Sequence, residues 1–341
     1  MAQVTVKNIE EEKEWEDYLS RHPKANFLQS WYWGEFHNAL GNEIQRSGFY
    51  KNGKLIGVML SIVEKARRAR YLTIPGGPII DWKDVRVVSS FVGEIKKIAK
   101  STNCAFVRVR PQLEKNEFSK KIFSDYKFVG APMYLHAELT SQLDIKKSEQ
   151  ELLSQMRKNT RREIKKAILL GIKVSSSSNP SSIKQFFKLQ TLTAKRQRFV
   201  PFSYKYLYEE FKAFSKTNRV LVYTAYFGNK LLTMAFIIFY GKEAVYHHGA
   251  STLDGRKYPG AYVIQWEAVK EAKKRGCTRY NFWGVASPND TNHRFYGVSV
   301  FKRGFGGYDL QYLPAQDLII DYPRYALNFA IETLRRKIRK L

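Results

Sequence analysis

The stretch Phe301-Lys302-Arg303-Gly304-Phe305-Gly306-Gly307 sets a lysine among aromatic rings and glycines. An ammonium beside aromatic rings is partly desolvated, and a desolvated ammonium stabilises a developing oxyanion well. The glycines allow a backbone to come close to a ligand. The same residues also fit a glycine-rich turn carrying a surface lysine. A second concentration of chemistry is cationic. Arg157, Lys158, Arg161, Arg162, Lys165 and Lys166 fall in one stretch, opposed only by Glu163. Ser148 and Glu151 form a capping box that opens a helix there, with Leu153, Met156, Thr160, Ile164 and Ala167 as its buried stripe. On that helix Arg157, Arg161 and Lys165 share one face, with Lys158, Arg162 and Lys166 beside them. Such rows suit a phosphate backbone, although a solvated helix face has a related composition. Arg67, Arg68 and Arg70, and the run Arg335–Lys340, are smaller cases of the same kind.

Other chemistries find no support. Gly48 through Lys54 nearly spells a phosphate loop, but Leu55 stands where a magnesium-binding hydroxyl belongs. No Gly-x-Gly-x-x-Gly follows a strand and opens a helix, and Gly-x-Ser-x-Gly does not occur. The six histidines are scattered apart from His247-His248. Neighbours on a strand face opposite sides, so no metal pair is expected of them. Cys104 and Cys277 are too few for a disulfide scaffold or a Cys-rich zinc site, and they fit a reducing cytoplasm. Neither a cofactor nor a metal is called for.

The elements that must position these groups come from 341 residues, enough for about two domains. Hydrophobic residues at 44% exclude general disorder. Lys+Arg 58 against Asp+Glu 31 leaves +27, which favours an anionic partner: nucleic acid, an acidic membrane surface or a phosphorylated substrate. The first twenty residues are acidic and lack an apolar stretch, so no signal peptide is expected. The longest apolar run, Leu231 to Tyr240, is a buried strand, since a bilayer needs about 20 residues. Any membrane contact would be peripheral. Helices are expected from Glu10, over Phe27–Gly41, over Val85–Lys100, from Ser148, over Tyr262–Arg275 and over the tail from Pro323. Asn52-Gly53 signals a type I′ hairpin.

One design is used twice. Phe49-Tyr50 through Asn52-Gly53-Lys54 matches Ala225-Tyr226 through Gly228-Asn229-Lys230; Gly76–Pro78 falls where His248–Ala250 falls; a helix follows each, then a strand from Cys104 or Cys277. The offset is about 172–176 residues, a duplicated domain rather than a solenoid unit. Strands, a helix and a strand in a mixed α/β unit fit an N-acetyltransferase-like fold. The coenzyme signature of that fold is mis-spaced here, as Arg256-Lys257-Tyr258-Pro259-Gly260-Ala261. The acyl group would then arrive on another carrier.

Together, Phe27–His37, Gly76–Ile80, Lys158–Ala167, Tyr246–Ser251, Ala261–Val285 and Phe301–Gly307 resemble, in order and spacing, the Fem family of aminoacyl-tRNA-dependent peptidyltransferases, most closely its FemX-type members. The resemblance spans nearly the whole chain. It implies an α/β fold of two acetyltransferase-like (GNAT-type, acyl-CoA N-acyltransferase) domains without the long helical hairpin of some relatives. Residues 1–143 with 318–341 would form domain 1, for acceptor binding; 144–317 would form domain 2, for the aminoacyl-tRNA end. It implies transfer of an amino acid from aminoacyl-tRNA to an amine, usually the lysine side chain, on the stem peptide of a peptidoglycan precursor, either UDP-MurNAc-pentapeptide or lipid II. The chain would be a cytoplasmic monomer with peripheral contact at the inner membrane face.

Carried over residue by residue, Lys302 would stabilise the oxyanion and Phe301 would position the terminal adenosine or the ester. Tyr204 and Tyr246 match precursor-holding tyrosines. Elsewhere this chain departs from the pattern. A phosphate-binding lysine reads His37, an arginine reads Val200 with Arg196 and Arg198 close by, a second tyrosine reads His248, and an aspartate once considered as a base reads Arg110. Arg157, Lys158, Arg161, Arg162 and Lys165 are the expected tRNA contacts. The rival readings are a coenzyme-A-dependent N-acyltransferase on the same fold and a non-catalytic protein that binds tRNA or a membrane surface.

Overall fold

The computed structural model describes residues 3–66, 69–134, 136–197 and 199–339. It divides into two units, Met1–Glu138 with Gln311–Leu341, and Leu139–Leu310. The first holds β1 (Val4–Asn8), α1 (Glu12–Arg21), α2 (Trp31–Ala39), β2 (Glu43–Lys51), β3 (Lys54–Lys65), β4 (Arg70–Pro75), α3 (Val85–Ser101), β5 (Phe106–Arg110), α4 (Glu117–Asp125) and β6 (Val129–Gly130). The second holds β7 (Leu139–Asp144), α5 (Glu149–Gln155), α6 (Lys158–Leu169), β8 (Lys173–Ser177), α7 (Ile183–Gln197), α8 (Tyr204–Ser215), β9 (Val220–Phe227), β10 (Lys230–Tyr240), β11 (Glu243–Ser251), α9 (Gly260–Lys274), β12 (Arg279–Gly284), α10 (Tyr296–Arg303) and β13 (Tyr308–Gln311). The chain then returns to the first unit as β14 (Gln316–Ile319) and α11 (Tyr322–Arg339).

Each unit is one seven-stranded sheet of the same topology, β1-β2-β3-β4-β5-β14-β6 and β8-β9-β10-β11-β12-β7-β13. In each, four strands run antiparallel, and the fourth then pairs parallel with the fifth across a helix, α3 or α9. The sixth strand is borrowed from elsewhere in the chain: β14 for the first sheet, β7 for the second. The duplication read from the sequence is therefore present strand for strand. Because β7 joins the second sheet, the division falls at Glu138/Leu139, a few residues before the expected boundary.

Local chemistry explains the elements. Asn52 and Gly53 both take positive φ (52° and 76°), as a type I′ turn requires, and this fixes the β2–β3 register. In α3, Val88, Phe91, Val92, Ile95 and Ile98 bury one stripe, and the Asp84 carboxylate accepts from the Arg86 amide at the N-terminus. Two short strands escape a periodicity reading. β1 alternates too weakly, and β8 is serine-rich, so its affinity for the sheet comes from backbone pairing with β9.

The expected single helix from Ser148 is two helices. Met156 and Arg157 take extended backbone angles between α5 and α6. The Arg157 amide donates to Gly304 O at 2.9 Å, and the Arg161 guanidinium donates to Ser154 O (2.9 Å) and to Met156 O, closing the end of α5. A tertiary contact and a side-chain cap thus outweigh helical continuity.

In the first unit, β5, β14 and α11 are tied by a buried ionic network. Arg108 is bidentate to Asp317 (2.8 Å and 2.8 Å) and reaches Glu332 (2.9 Å), and the Tyr325 hydroxyl donates to Asp317 at 3.2 Å. Removing the cation strands two buried carboxylates. Arg108→Leu is expected to lower the unfolding free energy of the first unit by about 3–5 kcal/mol, measurable by urea denaturation at neutral pH.

Candidate active site in the second unit

The parallel pairing of β11 with β12 covers Glu243↔Arg279, Ala244↔Tyr280 and Val245↔Asn281. Its base is held by Glu243 Oε1, which accepts from Arg279 Nε (2.8 Å) and Asn281 Nδ2 (3.1 Å). Past that point both strands turn irregular. Phe236 faces His248 while Ile237 faces Tyr246, so His247 is the extra residue of a bulge in β11. On β12, Trp283 adopts φ 64°, a strained conformation for an aromatic residue, and its amide donates to Asn281 Oδ1 at 2.8 Å.

Lys302 enters here from α10. Its Nζ donates to the Gly284 carbonyl at 2.7 Å and lies 5.6 Å from the Tyr246 ring centre. Only 8% of the residue is exposed, and burial lowers its ammonium to about 7. Gly249 makes room for Tyr246: a Cβ there would stand 1.9 Å from the phenol oxygen. Burial pushes that phenol up to about 12, so it stays neutral near pH 7. Next to Lys302, Arg303 is clamped by Asp309 (2.7 Å) and by Ala286 O (2.6 Å), which fixes the end of α10. Phe301 packs edge-on to Tyr262 and Phe305, at 4.9 and 5.4 Å. The glycines that follow serve the fold. A Cβ on Gly307 would lie 2.1 Å from Gln142 O, and one on Gly304 would lie 2.5 Å from Thr160 Oγ1. Their close approach is to β7 and α6.

A third group was not legible in the sequence. Glu210, wholly buried on α8, sits between two imidazoles: His247 Nε2 at 2.8 Å from Oε1 and His248 Nε2 at 2.9 Å from Oε2. The expectation that these neighbours face opposite sides fails because the bulge turns both to one side of the sheet. Burial works to raise the Glu210 carboxyl, but the two imidazoles outweigh it and hold it down at about 2. Burial, with the charges of His248 and Lys302, lowers His247. The three donor atoms lie within 4.8 Å of one another, a spacing that a divalent cation could bridge. As it stands, the carboxylate is matched by both rings, and the cluster binds α8 to β11 beside the lysine.

The other expected residues are placed as follows. Tyr204 opens α8, 40% exposed, against Phe187 and Tyr208. Arg196 donates to Ser251 O (2.9 Å) and Ser251 Oγ (3.1 Å) at the end of β11. Arg198 lies outside the described residues, as do Arg67 and Arg68. His37 is in the first unit and is buried, 7% exposed, with its ring 5.3 Å from Trp33 and its Nδ1 2.9 Å from Asn42 Nδ2. The ring thus packs against Trp33 on its own helix. Lys158, Arg162 and Lys165 are exposed on α6. Arg157 precedes that helix and Arg161 caps α5, so the expected row of three is broken.

A model of the FemAB family matches residues 10–127, 126–234 and 223–332. The chain belongs to the FemAB family. Its relatives include proteins named lipid II:glycine glycyltransferase from Staphylococcus epidermidis (21% identical, covering 95% of this chain and 94% of the relative) and Staphylococcus haemolyticus (21%, covering 100% and 97%). Among solved structures, the crystal structure of FemX matches with TM-score 0.85 at 19% identity, over 95% of this chain and 99% of that one. A tandem GNAT protein from the clavulanic acid biosynthesis pathway matches with TM-score 0.58 at 9% identity, over 93% and 98%. The fold is thus a pair of GNAT-like domains.

Lys302 is costly to bury as a cation. Its folded value, about 7, lies below the ordinary 10.5, so an unfolded chain holds the proton more tightly. The penalty is complete below pH 7 and fades as pH rises from there toward 10.5. Lys302→Met is therefore expected to stabilise the second unit at pH 6, with the gain shrinking at pH 9. Thermal unfolding at the two pH values checks this; equal gains at both would show that burial does not depress the lysine.

Proposed function

We propose that this chain moves an amino acid from aminoacyl-tRNA to an amine, the lysine side chain, on the stem peptide of a lipid-linked peptidoglycan precursor. As a FemAB family member the chain is an aminoacyltransferase, and the names of its relatives supply lipid II as acceptor and glycine as the first donor to try. The observation that carries the reading is Lys302: a desolvated ammonium at the point where two parallel strands part, anchored by Gly284 O and faced by Tyr246.

In the reaction the acceptor nitrogen attacks the ester carbonyl. A C–N bond forms, the carbonyl oxygen takes negative charge, and the bond to the ribose oxygen then breaks. The net proton passes from the acceptor nitrogen to the leaving ribose oxygen. The Lys302 ammonium stabilises the oxyanion, an interaction strongest in the transition state. Phe301, held edge-on against Tyr262, supports the ester end. Tyr204, Tyr246, His248 and Arg196 serve the precursor in the second unit, and the first unit contributes to acceptor binding. The exposed cations of α6 serve tRNA. Lys158 opens the helix and Arg162 follows one turn on, at the end where cations oppose the macrodipole, and an anion there relieves that conflict. The chain works as a monomer in the cytoplasm, at the inner face of the membrane.

Lys302→Ala is expected to cut turnover at least ten-fold with little change in precursor affinity; undiminished turnover would remove the lysine from catalysis. For the RNA contact, Lys158→Glu with Arg162→Glu is the suitable pair, because Arg161 also caps α5. This variant should weaken tRNA binding and flatten its salt dependence by roughly one unit of slope per lost phosphate contact. An unaltered slope in filter-binding titrations would make α6 an ordinary solvated face.

A further inference from the structure

Helix α11 shows two distinct faces. One is fixed to the first unit: Tyr325, Asn328 and Glu332 are buried, and Tyr325 and Glu332 join the Arg108 network. The other carries Leu327, Ile331, Leu334 and Ile338, at i, i+4, i+7 and i+11, which makes a single stripe. Leu327 is 56% exposed, Leu334 58% and Ile338 72%. An apolar stripe on a water-facing helix is the kind of feature that marks an interaction surface. Its borders are basic. Arg335 and Lys337 are exposed on either side of the stripe, and Glu332, the one acid between residues 322 and 339, points inward to Arg108.

We infer that α11 is a membrane-docking helix that lies in the interface of an anionic phospholipid bilayer. Leucine and isoleucine side chains would enter the acyl boundary while the flanking cations meet lipid phosphates. Two other occupants fit less well. RNA would match the cations but leave the apolar stripe in water. A second copy of this chain would bring like-charged borders together on a molecule of net charge +27. The ionic network matters here because it presents the helix already folded and fixed, so docking does not have to order it. No helix among the described residues is long and apolar enough to cross a membrane, so the contact is with the surface. This deepens the reading of a lipid-linked acceptor and rests on it only for its biological purpose.

The test is flotation of the full-length protein with vesicles of phosphatidylcholine alone or mixed with phosphatidylglycerol. The parent is expected to float with the anionic vesicles and weakly with the neutral ones. Leu334→Glu with Ile338→Glu should lower the partition coefficient at least ten-fold, and Arg335→Gln with Lys337→Gln should lower it several-fold. All four positions are exposed, so the melting temperature should be that of the parent; should the first pair fail to fold, Leu327→Ser provides the apolar test. Transfer to a soluble stem-peptide acceptor should proceed at the parent rate in every variant. Anionic-vesicle binding that is absent in the parent, or unchanged in the apolar variants, overturns the inference. So does sedimentation showing a parent dimer that these substitutions dissolve. Loss of transfer in the parent itself would instead count against the proposed function and leave the flotation result standing.

Discussion

The site depends on one unfavourable placement, an ammonium almost wholly removed from water and held by a single backbone carbonyl. Gly284 O can accept from Lys302 only because β12 leaves its regular course there, with Trp283 in left-handed backbone conformation. Tyr246 can face the lysine only because β11 bulges one residue later and Gly249 leaves space for the phenol. Arg303, locked to Asp309, and Arg157, bonded to Gly304, hold the helix that delivers the lysine. The strain and the desolvation are concentrated within a few residues, and regular sheet on either side supports them. A cation in such a place is costly at rest and most useful when negative charge develops next to it.

The duplicated unit shows what the same strand junction looks like when it is closed. In the first unit β4 and β5 stay paired from Leu72↔Val107 to Pro75↔Arg110. The turn beyond β4 is filled by the unit's own amides. Asn26 Nδ2 donates to Gly76 O (2.8 Å), and Gln29 bonds Pro75 O (2.8 Å) and both backbone groups of Leu60. Gly76 and Gly77 are glycines because a Cβ on either would lie 2.4 Å from Asn26 or Gln29. Gln29, in one of the segments on which the family resemblance rests, thus closes the turn beyond β4 together with Asn26.

Much of this was legible in the sequence. The hairpin at Asn52-Gly53, the helices at Val85 and Tyr262 and the duplication all follow from local signals, because turn chemistry and apolar periodicity are local. Lys302 stood out through its composition. What was not legible depends on partners distant in sequence. Glu210 meets His247 and His248 across 37 and 38 residues, and only through a bulge that reverses the alternation rule. The break at Met156-Arg157 comes from Gly304, nearly 150 residues away. His37 reads as a substituted phosphate ligand by position, and only the structure shows Trp33 and Asn42 closing around it.

The central claim is that this chain forms an amide between an aminoacyl ester and a precursor amine. The most direct measurement is the mass of the precursor after incubation of the purified protein with glycyl-tRNA and lipid II, alongside acetyl-coenzyme A as an alternative donor. The expected result is a gain of one glycine residue on the stem-peptide lysine from the tRNA donor and no change with acetyl-coenzyme A. Acetylation of the precursor, or an unmodified precursor with every charged tRNA offered, would contradict it.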